Sequence, residues 1–296
     1  VQLSRVRLLL SVSVGIVAIS LAATLIRYAQ AEGVPSLSIA AWRLVFASLV
    51  LLPYAWATHR DEIRDLSRQE VALLVASGVF LGLHFATWIA SLGYTSVASS
   101  VVLVSMGPVF VALGSWVFLR ERPNLQMGIG IVMAAGGSII VSWGDLGQGK
   151  DQLMGDLLAL TGALMMASYL MIGRKVRARR SLTAYIALVY GVAMITLLII
   201  VAIGRQPMLG FSLPAYGWLL ALGLVPQLVG HSTLNWALRH LSATFVSILT
   251  LTEPIGSGIL AYIVLGEVLT WATAIGGVLI LAGIYIASRA EARAQS

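Results

Sequence analysis

The 296-residue chain contains no cysteine. That removes disulfides, thiolate nucleophiles and cysteine-based metal sites. Charge is scarce too: 10% of residues are charged, against roughly 25% in an ordinary soluble domain. Lysine occurs only as Lys150 and Lys175, and no acidic residue precedes Glu32. With 59% hydrophobic residues beside so little charge, a soluble enzyme of normal build is excluded. No HExxH, no GxSxG and no close pair of intramembrane carboxylates occurs, so the chain reads as no enzyme, with no cofactor and no metal site.

What is present is gathered into apolar runs of about 20 residues, long enough to cross a bilayer core of roughly 30 Å. Ten spans are predicted, at 8–28, 37–57, 70–92, 97–119, 125–143, 155–173, 184–204, 214–238, 243–265 and 270–288. The first span imitates a signal peptide, with Arg5 and Arg7 before it and Ala29-Gln30-Ala31 after it. Its apolar run exceeds the usual signal core, so it reads as a transmembrane helix. The run Gly144-Asp145-Leu146-Gly147-Gln148-Gly149-Lys150-Asp151 satisfies GxxxxGK but carries Asp where a phosphate loop needs Ser or Thr. It reads as a flexible turn.

The chain repeats itself. Residues 96–121 return as 242–267, with Ser96 matching Ser242, Pro108 matching Pro254 and Glu121 matching Glu267, each pair 146 apart. Gly130 and Gly276, and Gly137 and Gly283, keep that offset, and Ser36-Leu37-Ser38 recurs as Ser181-Leu182-Thr183. The expected architecture is an all-α polytopic membrane protein, made of repeats 1–148 and 149–296 acting as one unit. Five spans per repeat is an odd number, so the second repeat enters from the opposite side and the topology is inverted. Such a pair suits alternating access.

The net charge of +7 lies mostly on one side. With the N-terminus inside, the cytoplasmic segments carry fifteen basic residues (Arg5, Arg7, Arg60, Arg64, Arg68, Arg120, Arg122, Arg174, Lys175, Arg177, Arg179, Arg180, Arg239, Arg289 and Arg293), against Arg27, Lys150 and Arg205 outside. Both termini are therefore expected in the cytoplasm, with the basic residues facing anionic lipid and no nucleic acid as partner.

Polar groups at membrane depth are functional candidates by default. Span three places His84, Thr87, Trp88, Ser91 and Thr95 on one helical stripe. Span eight places Gln227, His231 and Asn235 at steps of four, with Trp236 beside them. Span nine carries Ser247, Thr250, Glu253 and Ser257. Arg43 lies inside span two, where it can snorkel outward, pair with Glu253 or meet a substrate carboxylate. Met106, Tyr169, Trp88 and Trp236 are candidate apolar walls. Pro108 and Pro254 remove backbone donors near mid-membrane and are candidate kinks around a polar cavity. His231 and Asn235 are candidates for a gate. For serine and threonine the competing reading is a bond to their own helix backbone, and Gly78 and Gly82 read as close helix packing. Glu121 and Glu267 read as helix-end residues.

The runs Glu253-Pro254, Leu265-Gly266-Glu267, Trp42-Arg43-Leu44-Val45-Phe46 to Pro53, and Pro108 to Leu119-Arg120-Glu121 resemble the EamA branch of the drug/metabolite transporter superfamily, over essentially the whole chain. Within it the chain looks most like the YddG-type bacterial amino-acid exporters, in which His84 would fall at a cavity position. The resemblance implies a carrier in the bacterial cytoplasmic membrane that exports amino acids, aromatic or otherwise apolar, or similar small metabolites. The alternative is a multidrug or organic-cation exporter using Glu253. Gly107 stands before Pro108 where the second repeat has Glu253, so the repeats are not chemically equivalent. A coupling proton on Glu253 or His84 is a further expectation, and one chain suffices to enclose the pathway.

Overall fold

A computed structural model describes residues 5–95, 100, 103–104, 106–120, 124–141, 151–253, 255–256 and 271–294. Every regular element among them is helical. In order these are α1 (Arg5–Ala31), α2 (Ser36–Arg64), α3 (Arg68–Ser91), α4 (Gly107–Gly114), α5 (Leu125–Val141), α6 (Gln152–Arg177), α7 (Leu182–Ile203), α8 (Leu213–Leu222), α9 (Ser232–Ala237), α10 (Ala243–Leu249) and α11 (Trp271–Ala294). A π-helical segment, Ser115–Leu119, extends α4, and a second, Gly223–His231, joins α8 to α9.

Among the described residues seven helices are long and apolar enough to cross a membrane, counting Leu213–Ala237 as one. The other three expected spans appear as shorter apolar helices at Gly107–Phe118, Leu125–Gly137 and Ala243–Thr252. All three of those spans, 97–119, 125–143 and 243–265, run partly outside the described residues. So do Pro254, Ser257, Glu121 and Glu267.

The helix ends follow local chemistry. Ser181 and Ser212 cap α7 and α8, their side chains accepting from the amides of Ala184 and Ala215. Ser67 and Glu70 form a capping box at the start of α3: Ser67 N donates to Glu70 Oε2 at 2.9 Å, and Glu70 N donates to Ser67 Oγ at 3.2 Å. After α1 the chain turns at Gly33, whose φ of 80° favours glycine, and Val34 N reaches back to Ala29 O at 3.1 Å.

The chain forms two compact units, each drawing on both sequence halves. One comprises Val1–Ala86 with Ile172–Arg239, the other Thr87–Met171 with His240–Ser296. In the first unit α2 packs along α7. The buried face of α2 runs through Ala40, Leu44, Ala47, Leu51 and Ala55, and that of α7 through Tyr185, Val189, Ala193, Leu197 and Val201, at steps of three or four.

Small residues set the distances between helices. A Cβ on Gly78 would lie 2.5 Å from Val192 Cβ, and one on Gly82 would lie 2.9 Å from Thr196 Cβ, so this glycine pair serves close packing as expected. Both numbers rise together, so α3 and α7 run parallel there. Gly15 against Thr233, with Gly230 against Ile19, makes α1 antiparallel to the Gly223–Ala237 stretch.

In the second unit α5 packs along α11. A Cβ on Gly130 would sit 2.8 Å from Gly283 O, and one on Gly137 would sit 2.6 Å from Gly276 O. The repeat relates Gly130 to Gly276 and Gly137 to Gly283. Each therefore touches the other pair's mate, the crosswise pattern of a local two-fold axis.

Candidate functional site

Four sequence-predicted polar residues meet inside the first unit, around Arg43. The element that organises them is the π-helical segment Gly223–His231, which contains Pro226. Proline has no amide hydrogen, so the ordinary helix ladder is broken here. The amide of Ser232 reaches back to Gln227 O, five residues away, and the Ser232 hydroxyl also donates to that oxygen at 3.4 Å. At the other end Gly223 lies against α2, where a Cβ would stand 2.7 Å from Phe46 Cβ and 3.1 Å from Arg43 O. The lack of a side chain at Gly223 brings this segment against the turn of α2 that carries Arg43.

Arg43 is 1% exposed. It does not snorkel, which removes one of its three expected roles. Its Nε donates to Gln227 Oε1 at 2.8 Å, and its guanidinium carbon stands 4.4 Å from the Phe85 ring centroid. Inserting an arginine at a helix centre costs about 2.5–3.5 kcal/mol on biological insertion scales. A hydrogen bond to a charged group returns about 1.5–3 kcal/mol and a desolvated cation–π contact about 2 kcal/mol. These two contacts are thus enough to offset the cost, so the side chain turns inward.

Phe85 is the hub. Its ring lies edge-on to His231 at 5.3 Å and tilted to His84 at 5.0 Å. Below His231, Asn235 Nδ2 donates to His231 O at 2.8 Å and to Tyr190 Oη at 3.4 Å, and Tyr190 Oη lies 3.3 Å from Ser232 Oγ. Gln227, Asn235 and Tyr190 are fully buried, and His84 and His231 are nearly so. Within this dense cluster, Gln227 Nε2 and His231 Nδ1 are buried and have no hydrogen-bond partner among the described residues. Buried polar atoms are ordinarily satisfied, which makes these two, beside a guanidinium, candidate contacts for a ligand or an ordered water.

Phe85, Tyr190 and Ser232 were not singled out from the sequence. Phe85 looks like any apolar neighbour of His84. Tyr190 sits in a strongly apolar span, with only its hydroxyl as a signal.

Trp236 is half-buried on α9 in the first unit. Trp88, Met106, Tyr169 and Glu253 belong to the second unit, where Tyr169 is fully buried on α6 and Glu253 half-buried after the 3-10 turn Thr250–Thr252. Pro108 lies in the first turn of α4, which starts at Gly107 after Met106. The serines and threonines mostly serve structure. Ser247, Thr250 and Thr252 each donate to the carbonyl three residues back. Ser91 bonds Trp88 O and Ser100 Oγ, and Thr95 Oγ1 donates to Asp156 Oδ1 at 2.9 Å. No group of three histidine, aspartate or glutamate side chains suited to a metal occurs among the described residues.

Known proteins resemble this chain along most of its length. An uncharacterized transporter of Archaeoglobus fulgidus is 28% identical over 260 residues, covering 87% of this chain and 88% of its own. The pseudopaline exporter of Pseudomonas aeruginosa is 28% identical over 227 residues, covering 76% and 78%. A crystal structure of a protein only 19% identical shares the fold, with a TM-score of 0.81 over 99% of this chain and 100% of the other. The EamA-like transporter family matches twice, at residues 7–143 and 153–289. Two family-length matches, on a chain of apolar helices with a buried polar cluster, identify it: this protein belongs to the EamA-like transporter family.

Proposed function

We propose that this transporter exports amino acids or similar small zwitterions across the bacterial cytoplasmic membrane by alternating access. The observation that carries the reading is the buried Arg43 cluster, where Gln227 Nε2 and His231 Nδ1 await partners beside a guanidinium. Arg43 and His84 would face a substrate carboxylate. The Gln227 Nε2–H would donate to the same carboxylate, and Glu253 is the acidic candidate for an ammonium group. A relative named as a pseudopaline exporter supports outward transport of a small metabolite.

In this reading the repeats 1–148 and 149–296 are inverted copies forming one transport unit, with both termini cytoplasmic and a single chain sufficient. Crosswise packing of Gly130 with Gly283 and of Gly137 with Gly276 supports the inversion. Export would draw on a proton carried by Glu253 or His84.

The test is counterflow of a labelled amino-acid panel into preloaded proteoliposomes, with His84→Ala, Arg43→Gln and Glu253→Gln alongside. Saturable exchange that falls at least tenfold in Arg43→Gln is the expected result. Saturable binding of quaternary amines, with no amino-acid exchange, would transfer the assignment to an organic-cation exporter. Exchange indifferent to a pH gradient, with both Glu253 and His84 replaceable, would remove the coupling proton.

A further inference from the structure

The first unit is clasped at both ends of α2 and α7, and the two clasps are related by the internal repeat. At one end, the end of α2 and the start of α3 meet the turn before α7. Arg180 forms a bidentate pair with Glu70, Nε to Oε1 at 2.6 Å and Nη2 to Oε2 at 2.7 Å, and Arg180 also lies 3.6 Å from Asp65. The Ser181 amide donates to Glu62 Oε1 at 2.7 Å. At the other end, the residues before and within the first turns of α2 meet the segment between α7 and α8. Ser212 Oγ donates to Glu32 Oε2 at 2.5 Å, Ser38 Oγ to Pro207 O at 2.6 Å, and Trp42 Nε1 to Met208 O at 2.8 Å.

The equivalence follows from residue numbers. Ser36 and Ser181 are repeat mates, 145 apart, and Ser67 and Ser212 have the same separation and both cap a helix. One clasp joins the Ser67 cap region to the turn ending at Ser181. The other joins the Ser212 cap region to the turn ending at Ser36. Exchanging the halves turns one clasp into the other, though one is ionic and the other is neutral or singly charged.

Two gates that serve alternating access take turns, because the path must never be open at both ends. These clasps are closed together, on the same pair of helices. Elsewhere in the first unit a Cβ would collide at Gly78 and Gly82 of α3 against α7, at Gly15 of α1 and Gly230 against each other's helices, and at Gly223 against α2, and such contacts leave little room for sliding. We infer that the first unit travels through the transport cycle as one rigid body, held by the Glu70–Arg180 and Glu32–Ser212 clasps, which do not part. The conformational change is then carried by segments other than the ends of α2 and α7. This rests on the carrier reading above for its transport readout.

The cysteine-free chain makes the test clean. Glu62→Cys with Ser181→Cys at one end, and Ser38→Cys with Pro207→Cys at the other, leave the Arg180 pair intact. Each pair is joined by a short reducible bis-thiol reagent in proteoliposomes, and amino-acid counterflow is measured before joining, after it and after reduction. Rates within about twofold across the three states are expected for both pairs. A loss of tenfold or more on joining either pair, recovered on reduction, would make that clasp a gate and overturn the inference. If the reduced protein exchanges no amino acid, the substrate reading fails instead. The clasps are then read by spin labels on the same cysteine pairs in lipid nanodiscs: one narrow distance per pair supports rigidity, and two populations overturn it.

Discussion

Arg43 and Gln227 are 184 residues apart in sequence, yet each supplies what the other lacks. Gln227→Leu keeps the volume but leaves the Arg43 Nε–H without its acceptor in a buried setting. The expected cost is about 2 kcal/mol, since orphaning a partner of a charged group costs more than the bond itself contributes. A lowered unfolding midpoint in detergent, followed by tryptophan fluorescence, would register it, and counterflow should fall at least tenfold. Phe85→Leu removes only the ring beneath the guanidinium and should cost less, about 1–2 kcal/mol, including the poorer packing against His231. If Phe85→Leu proved the more damaging, the ring and not the amide would be the main support of Arg43. Arg43 stood out in the sequence as a charge inside an apolar span. Its inward direction did not, because that depends on an acceptor delivered by another helix.

At the scale of elements, adjacent glycines give the sharpest contrast. Gly137 and Gly136 share α5, and both look like ordinary small residues. A Cβ on Gly137 would meet Gly276 O at 2.6 Å, while one on Gly136 would meet nothing within 4 Å. Gly137→Ala should therefore destabilise by about 1–3 kcal/mol, because backbone must move. Gly136→Ala should be neutral or stabilise by up to about 1 kcal/mol through helix propensity. The same thermal measurement on the two variants decides it, and equal effects would mean that α5 and α11 do not pack as described. Gly223→Ala, whose Cβ would press on Phe46, should likewise reduce stability by about 1–3 kcal/mol, whereas Gly217→Ala on open α8 should not. Hydrophobic run length made the helices legible. The π-helical segment was not legible, because Pro226 announces a broken ladder without saying whether the chain will kink, tighten or widen there.

For the whole molecule, the distribution of basic residues predicts a membrane orientation. Single cysteines at Arg60, Ala178 and Arg289 should react with an impermeant thiol reagent only after the cytoplasmic face is exposed. Cysteines at Gly33 and Gln206 should react from the outside of intact cells. The opposite pattern would invert the protein and recast the direction of export. Salt should matter at one end of the first unit. Arg180→Ala should lower the unfolding midpoint more at low than at high ionic strength, whereas Ser212→Ala should show no such dependence, since only the first removes a bidentate ion pair.

Membrane class, apolar spans, the duplicated half and the rarity of a charge such as Arg43 were settled by the amino-acid sequence alone. Each is written in run length, composition or a fixed offset, which need no knowledge of neighbours. The partners were decided only by tertiary structure. The repeat relates Gly130 to Gly276, yet packing sets Gly130 against Gly283, because α5 and α11 run antiparallel. The repeat divides the chain near its middle, yet each compact unit takes helices from both halves. Arg43 turns to Gln227 and Phe85 because burial in an apolar surrounding leaves a guanidinium stable only where another helix brings an acceptor and a ring within reach.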